Sequence, residues 1–452
     1  MVNKFLLSNR MRNVFKIFSG TFIGQIIQII STPFIFRIFG ATNIGIATYL
    51  LAITPLVNAI SDLGFCNVLM IEDNDENALK IYRIVSTISL FISLFVSLLI
   101  TIYNYIFSLN LEGINSIFLF LFLSFDFIMS KQINICYTWL TKKKQYSLLM
   151  YNPLIRYGSF SLIAIILGLC GYTLYGYFIA NSIANFLSFY RMRRKLPPHT
   201  LSFNFTDYKR LFREHTNFIN YEMPANLLAQ LKNQLPTLLI KSLFGNDLLG
   251  YYSACMKILN IPINLVANAM GRVFFQVASE LKANSIDAGN FALRNIKKAM
   301  KFGIIPIIML IAFGDVAINL FYGHGYETSG IIIRIVALQS YITFISLTVQ
   351  GIATIVNQQK YLMNSLIMQV LFCVLSFFIG SKLFNSIYAA LILLSIFTVL
   401  IYTIYYCYLF KSINISWKSF AIEVCVYYVI ILVMSFAFRF IFSFTSIYYI
   451  YL

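Results

Sequence analysis

The chain has 452 residues, of which 59% are hydrophobic and only 11% are charged, and its formal net charge is +18. Soluble proteins carry about 25% charged residues, so this composition excludes a soluble protein and indicates a polytopic membrane protein. The seven cysteines are scattered singly in or beside apolar segments, which predicts packing roles, no metal centre and no cofactor.

Long apolar segments predict an all-α membrane protein, because a membrane-spanning helix needs about 20 mostly apolar residues. Twelve such segments are followed by one extra segment near the C-terminus. The predicted spans lie near residues 17–38, 44–69, 82–107, 114–138, 146–170, 172–190, 216–243, 248–276, 297–321, 330–355, 360–382, 386–411 and 419–442.

Basic residues concentrate in alternate loops of this predicted topology. The N-terminus and the even-numbered loops contain 24 of the 34 lysine and arginine residues. Because cytoplasmic loops are enriched in Lys and Arg, these segments are predicted to be cytoplasmic. Topology then accounts for most of the positive charge, and no nucleic-acid partner is predicted.

The longest hydrophilic stretch covers residues 191–215 and contains Pro197 and Pro198. It predicts an N-terminal six-helix lobe over 1–190, a cytoplasmic linker over 191–215 and a C-terminal six-helix lobe over 216–411. Residues 412–452 are predicted to add one further membrane helix and a tail. Because six is even, both six-helix bundles begin on the cytoplasmic side, which implies a pseudo-two-fold axis along the membrane normal.

A polar pattern occurs twice, and the second copy stands 205 residues after the first, as from Gln25 to Gln230. Repeated membrane hairpins with buried polar groups are typical of two-lobed transporters. The first copy reads Gln25, Gln28, Thr32, Phe39-Gly40 and Gly45, and the second reads Gln230, Asn233, Thr237, Phe244-Gly245 and Gly250.

Polar residues also form stripes along several predicted spans. At 100° per residue, six polar side chains of the eighth span fall within a sector of roughly 120°. They are Ser253, Lys257, Asn260, Asn264, Asn268 and Arg272. Helix–helix hydrogen bonds explain one or two such residues per span, whereas stripes of five or six predict a water-filled central cavity. Amide side chains suit sugar hydroxyls, because they both donate and accept hydrogen bonds.

Two segments resemble a known family. The first reads Asn13, Gln25, Arg37-Ile38-Phe39-Gly40, Ile44-Gly45 and Asp62-Leu63-Gly64-Phe65, and the second reads Pro224, Leu243-Phe244-Gly245, Leu249-Gly250-Tyr251-Tyr252-Ser253, Lys257-Ile258 and Pro262. These motifs resemble those of Wzx-type O-antigen and capsule flippases of the multidrug/oligosaccharidyl-lipid/polysaccharide exporter (MOP) superfamily. Architecture agrees over residues 1–411, and the thirteenth helix departs from the usual twelve.

The resemblance implies a transporter and not an enzyme. Its expected substrate is an undecaprenyl-diphosphate-linked oligosaccharide, moved by alternating access from the cytoplasmic to the periplasmic leaflet of the bacterial inner membrane. Its expected partners are this lipid-linked oligosaccharide, membrane lipids, a proton or sodium gradient and the glycan polymerase machinery. Relatives that move the peptidoglycan precursor usually have an Arg-Asp pair in the first helix, where this chain has Gln25 and Gln28.

Ionisable residues within spans are functional candidates by default. Lys257 and Arg272 are predicted to contact the diphosphate, because both lie on the polar stripe of the eighth span. Arg156 and Lys131 are the next basic candidates at depth.

Three carboxylates are predicted to gate the transporter or to couple it to an ion gradient: Asp62, Asp126 and Asp315. Asp62 is expected to pair with Arg272 of the other lobe. Asp126 and Lys131 are five residues apart and do not share one helix face well, so each is expected to pair with another helix.

Two other functions remain open at this stage. A drug or cation antiporter of the same superfamily is expected to place acidic rather than basic residues along its cavity. A polytopic glycan polymerase is expected to need a sizeable extramembrane loop with catalytic residues, whereas every outer loop predicted here is short.

Overall fold

The computed structural model describes residues 2–107, 114–197, 201–281 and 285–443, and the side chains of that part except for 2–18, 107, 264 and 285–286. Its regular elements are helices, which confirms an all-α fold within the described residues. Ten of these helices are long and apolar enough to cross a membrane. The chain is therefore a multi-pass membrane protein. It forms two compact units, Met1–Gln234 and Leu235–Leu452, and the division falls within a helix.

The N-terminal unit begins with a 59-residue helix that covers the first two predicted spans. Its helices are α1 (Val2–Ile60), α2 (Phe65–Ile71), α3 (Asp75–Phe107), α4 (Ser116–Lys142), α5 (Tyr146–Leu169), α6 (Leu174–Arg193), α7 (Phe205–Glu214) and the start of α8 (Met223–Phe244), with a π-helical turn at Phe218–Glu222 before α8. Buried aromatic and aliphatic side chains, including Phe122, Phe127 and Phe178, form its core.

The C-terminal unit contains the rest of the described helices. They are the end of α8, then α9 (Asn246–Pro262), α10 (Asn268–Glu280), α11 (Ser285–Tyr322), α12 (Glu327–Thr348), α13 (Ile352–Ile355), α14 (Gln359–Lys382), α15 (Ile387–Ser412) and α16 (Trp417–Ser443). The helix α16 corresponds to the thirteenth predicted span. The tail after residue 443 lies outside the described residues.

The repeated Phe-Gly motif has the same backbone conformation in both units. Gly40 bends α1 with φ 73° and ψ 165°, and Gly245 separates α8 from α9 with φ 94° and ψ −178°. This extended region at positive φ is accessible essentially to glycine alone. A Cβ added to either glycine would meet no atom within 4 Å, so the requirement for glycine comes from the backbone and not from crowding. Both copies of the repeat therefore turn a helical hairpin in the same way.

A π-helical turn at Ile263–Ala267 interrupts the eighth predicted span between α9 and α10. A π-turn holds one more residue than an α-turn, so residues after it are shifted by about 100° relative to a continuous α-helix. Lys257 and Arg272 would be about 60° apart on a continuous helix, and the shift leaves them about 40° apart in the opposite sense. The π-turn therefore keeps both residues on one side of the span.

The additional helix α16 is joined to α11 by two ion pairs. Arg439 donates to both carboxylate oxygens of Asp315, at 3.0 Å and 2.6 Å, and Lys297 Nζ lies 2.6 Å from Glu423 Oε1. The first pair lies beside a bend in α11 at Phe313. Arg439 also donates to the carbonyl of Ala312 at 3.3 Å. Asp315, one of the carboxylates predicted to couple transport to an ion gradient, is therefore paired with Arg439 of the same unit.

Arg439→Leu is expected to destabilise the C-terminal unit by about 3 kcal/mol, because it leaves Asp315 unpaired where both side chains are less than one-fifth exposed. Thermal unfolding in detergent micelles measures this loss. The matched control is Lys297→Leu, whose pair is about one-third exposed and should contribute less than about 1 kcal/mol. Equal unfolding temperatures for the two variants would contradict the anchoring role of Arg439.

Candidate functional site

The Asp-Leu-Gly motif forms the tight turn between α1 and α2. Leu63 and Gly64 both have positive φ, 53° and 82°. Asp62 Oδ2 accepts a hydrogen bond from the backbone N–H of Cys66 at 3.1 Å. This bond satisfies a free N–H in the first turn of α2. The turn therefore fixes the position of the Asp62 carboxylate.

Asp62 pairs with Lys131 of α4 inside the N-terminal unit. Lys131 Nζ lies 2.8 Å from Asp62 Oδ1, and each side chain is 6% exposed. Lys131 also donates to the carbonyl of Asn58 at 2.8 Å, in the last turn of α1, where carbonyls lack helical partners. The sequence predicted Arg272 as the partner of Asp62, whereas the structure pairs Asp62 with Lys131. The partners of Lys131 lie outside α4, as the sequence predicted.

A cavity of about 280 Å³ lies beside this ion pair, within the N-terminal unit. Its lining is mostly polar. The lining residues are Pro55, Asn58, Ala59, Asp62, Gly64, Cys66, Asn67, Lys131, Asn134, Asn226 and Gln230. The two charged residues of this lining, Asp62 and Lys131, offset each other. The cavity is therefore neutral overall and presents several amide groups.

These amides can bind a ligand rich in hydroxyl groups, because each side-chain amide offers two donors and an acceptor. Asn58 donates to Ser130 Oγ at 2.7 Å, while its own Oδ1 is buried without a partner among the described residues. Asn134 and Asn226 are exposed side chains in the cavity wall. A neutral sugar ring suits this chemistry better than a diphosphate, whose negative charges favour a site with net positive charge.

A second polar cluster surrounds Asp126, which is 2% exposed. Its carboxylate accepts hydrogen bonds from Thr54 Oγ1 at 2.6 Å, Asn181 Nδ2 at 2.8 Å and Asn185 Nδ2 at 3.0 Å. Three neutral donors therefore hold Asp126 at the junction of α1, α4 and α6. Arg156 is half-buried on α5.

Polar residues of the second predicted span contact both a neighbouring helix and the cavity of the N-terminal unit. Thr54, Asn58 and Asp62 each contact a polar group of α4, which is the helix–helix bonding role. Asn58 and Asp62 also face the cavity.

The remaining predicted residues lie in different surroundings. Gln230 lines the cavity, Gln25 and Gln28 are half-buried on α1, and Asn233 is exposed on α8. In the C-terminal unit, Lys257 and Arg272 are exposed, and Asn260 and Asn268 are half-buried. The side chain of Asn264 lies outside the described residues.

Three polar residues near these clusters, Asn181, Asn185 and Glu222, were not predicted from the sequence. Glu222 accepts a hydrogen bond from Asn67 at the edge of the cavity. The two asparagines are four residues apart on α6, one turn of a single helix face, and this spacing was the available signal for them.

A family model described as "Polysaccharide biosynthesis protein" matches residues 34–331. This match covers more than half of the chain. The chain belongs to this family. Its resemblance to polysaccharide exporters is thereby confirmed.

A curated relative matches a shorter part of the chain. The amylovoran biosynthesis protein AmsL of Erwinia amylovora is 23% identical over 118 residues, which are 26% of this chain and 30% of AmsL. The match thus spans less than one-third of the length of that relative.

Solved structures identify the fold of this polysaccharide biosynthesis protein. The lipid II flippase MurJ in an inward closed conformation aligns with a TM-score of 0.70 at 16% identity, over 95% of this chain and 98% of MurJ. An inward-facing MATE multidrug transporter aligns with a TM-score of 0.65 at 13% identity, over 86% of this chain and 94% of the transporter. A MOP superfamily transporter from Pyrococcus furiosus aligns with a TM-score of 0.55 at 14% identity, over 89% of this chain and 95% of that transporter. The chain therefore has the fold of these transporters.

Proposed function

We propose that this protein is a flippase that moves an undecaprenyl-diphosphate-linked oligosaccharide from the cytoplasmic to the periplasmic leaflet of the bacterial inner membrane. The observation that carries the proposal is the neutral, amide-lined cavity in a member of a polysaccharide biosynthesis family with a transporter fold. The cavity volume of about 280 Å³ is near the lower end of small-molecule sites, about 300–1,000 Å³, and suits one sugar unit.

In this proposal, the sugar and the diphosphate bind at different sites because they differ in charge. The sugar occupies the neutral cavity, and the diphosphate contacts cations elsewhere, namely Lys257, Arg272 and Arg156. The lipid tail stays in the bilayer while two six-helix lobes alternate between inward-open and outward-open states. Because Lys131 already pairs with Asp62, its proposed role is to position the cavity wall rather than to bind phosphate.

Replacing the exposed cavity amides tests the sugar site. Asn134→Leu and Asn226→Leu are each expected to reduce export of the glycan about tenfold, since a lost hydrogen bond to a buried sugar hydroxyl costs about 1–2 kcal/mol. Surface glycan is measured in cells that depend on this protein, at matched protein levels. Asn290→Leu, at another exposed asparagine, is the control. Wild-type export in both cavity variants would contradict a sugar site at this position.

Asp126 is the proposed residue for coupling to a proton or sodium gradient, because it is buried and the three side chains that donate to it are neutral. Asp126→Asn is expected to keep the protein folded and to remove the dependence of export on the gradient. The measurement is transport in vesicles with and without an imposed gradient. Unchanged gradient dependence in this variant would exclude Asp126 as the coupling site.

A further inference from the structure

Three large apolar side chains are exposed just before and at the start of α7. Leu201, Phe203 and Phe205 are 46%, 66% and 88% exposed, and Phe205 is the most exposed large hydrophobic residue of the described part. Most of the other exposed large hydrophobic residues lie within spans, where lipid solvates them. Residues 201–214 belong to no candidate span. Lipid contact along a spanning helix therefore does not explain these three side chains.

The local backbone directs the three side chains outward. Ser202 donates its N–H to Thr87 Oγ1 on α3 at 3.1 Å, and Asn204 Oδ1 accepts from the N–H of Thr206 at 3.2 Å as the cap of α7. These bonds fix the backbone of the segment to α3 and to the start of α7. Leu201, Phe203 and Phe205 alternate along this fixed segment and are all exposed.

The helix α7 likewise has one face against the protein and one face directed away from it. Its inner face packs on the protein through Leu211, which is 4% exposed. At 100° per residue, the exposed Lys209 and Arg213 lie about 40° and 80° from Phe205.

The acidic residues of α7 lie on its other side. Asp207 and Glu214 fall about 160° and 180° from Phe205, and Glu214 pairs with Arg210 at 3.7 Å. The outward surface of Leu201, Phe203, Phe205, Lys209 and Arg213, here called the α7 surface, therefore carries two positive charges and no carboxylate.

We propose that the α7 surface binds the anionic headgroup region of the membrane that the protein spans. Aromatic side chains flanked by lysine and arginine are the composition of helices that lie in a membrane interface. Its apolar side chains enter the boundary between headgroups and acyl chains, and its two cations contact anionic phospholipids. The segment begins eight residues after α6 ends at Arg193, so the chain stays within reach of the membrane surface. This contact would fix the segment between α6 and α8 to the cytoplasmic leaflet.

Depth of insertion is the first test. Phe205→Trp and Glu214→Trp are prepared in the full chain and placed in lipid nanodiscs that contain lipids brominated on the acyl chain. Fluorescence of the tryptophan at position 205 is expected to be quenched beyond the background of Trp139 and Trp417, whereas fluorescence of the control at exposed position 214, on the opposite side of α7, is not. Equal quenching at the two positions, or none at either, would overturn the proposal.

Lipid charge is the second test. Hydrogen exchange of residues 201–213 is compared in nanodiscs of phosphatidylcholine and of phosphatidylglycerol. Two cations at an anionic surface are expected to slow exchange about 30-fold, at a factor of about five each. Lys209→Gln/Arg213→Gln should lose this difference, and Lys360→Gln/Lys418→Gln, which removes the same charge elsewhere, should keep it. The same exchange rate in both lipids for the unmodified protein would contradict an anionic lipid surface and favour a protein partner.

Discussion

Lys131→Met is expected to destabilise the N-terminal unit by about 3–5 kcal/mol and to abolish export. The substitution leaves the Asp62 carboxylate buried without its cation, and an uncompensated buried charge is costly. It also removes a donor to the carbonyl of Asn58. Thermal unfolding in detergent micelles, together with the level of membrane-inserted protein, measures the effect.

The double variant Asp62→Asn/Lys131→Met separates charge from packing. The amide that replaces the Asp62 carboxylate keeps an oxygen for the N–H of Cys66, and the buried charge is gone, so most of the lost stability should return. Lys143→Met is the matched control, because its partner Asp75 is 72% exposed and the pair should contribute less than about 1 kcal/mol. A double variant as unstable as Lys131→Met would show that the pair does not act as proposed.

Lys257→Ala and Arg272→Ala are each expected to reduce surface glycan by about 100-fold while the protein level stays normal. A charge-assisted hydrogen bond to the diphosphate in a low-dielectric site contributes about 3 kcal/mol. Lys257→Arg should keep partial activity, because it retains the cation with a changed geometry. The measurement is surface polysaccharide in a strain that lacks the endogenous gene and carries each variant.

Normal surface glycan in both alanine variants would remove these residues from the proposed diphosphate site. Lys297→Ala serves as the control, because it deletes a cation that pairs with Glu423 and has no proposed contact with substrate. Loss of export in that control as well would indicate a general effect of lost positive charge.

Hydrophobic length and the Phe-Gly repeat were sufficient to predict most of the helices. The bends at Gly40 and Gly245 coincide with the repeated motif, because the backbone conformation there is open essentially to glycine alone. The helix α16 was predictable for a similar reason, since its apolar run is long enough to span a membrane.

The pairing of side chains could not be predicted in the same way. Periodicity shows which face of one helix is polar, but the neighbouring helix depends on tertiary packing. Asp62 was therefore assigned to Arg272 from the sequence, while the structure pairs it with Lys131. The π-turn at Ile263–Ala267 was also hidden, because its sequence continues an ordinary apolar helix and only the backbone reveals the change of phase.

Transport of a lipid-linked oligosaccharide by the purified protein is the most direct test of the proposed function. The protein is reconstituted in liposomes whose inner leaflet carries an undecaprenyl-diphosphate-linked oligosaccharide, and a membrane-impermeant glycosidase outside reports its arrival. We expect glycan cleavage to exceed that in protein-free liposomes and to fall about 100-fold with Lys257→Ala. Cleavage at the protein-free level, together with uptake of a lipophilic cation by the same liposomes, would contradict the flippase and favour a cation antiporter.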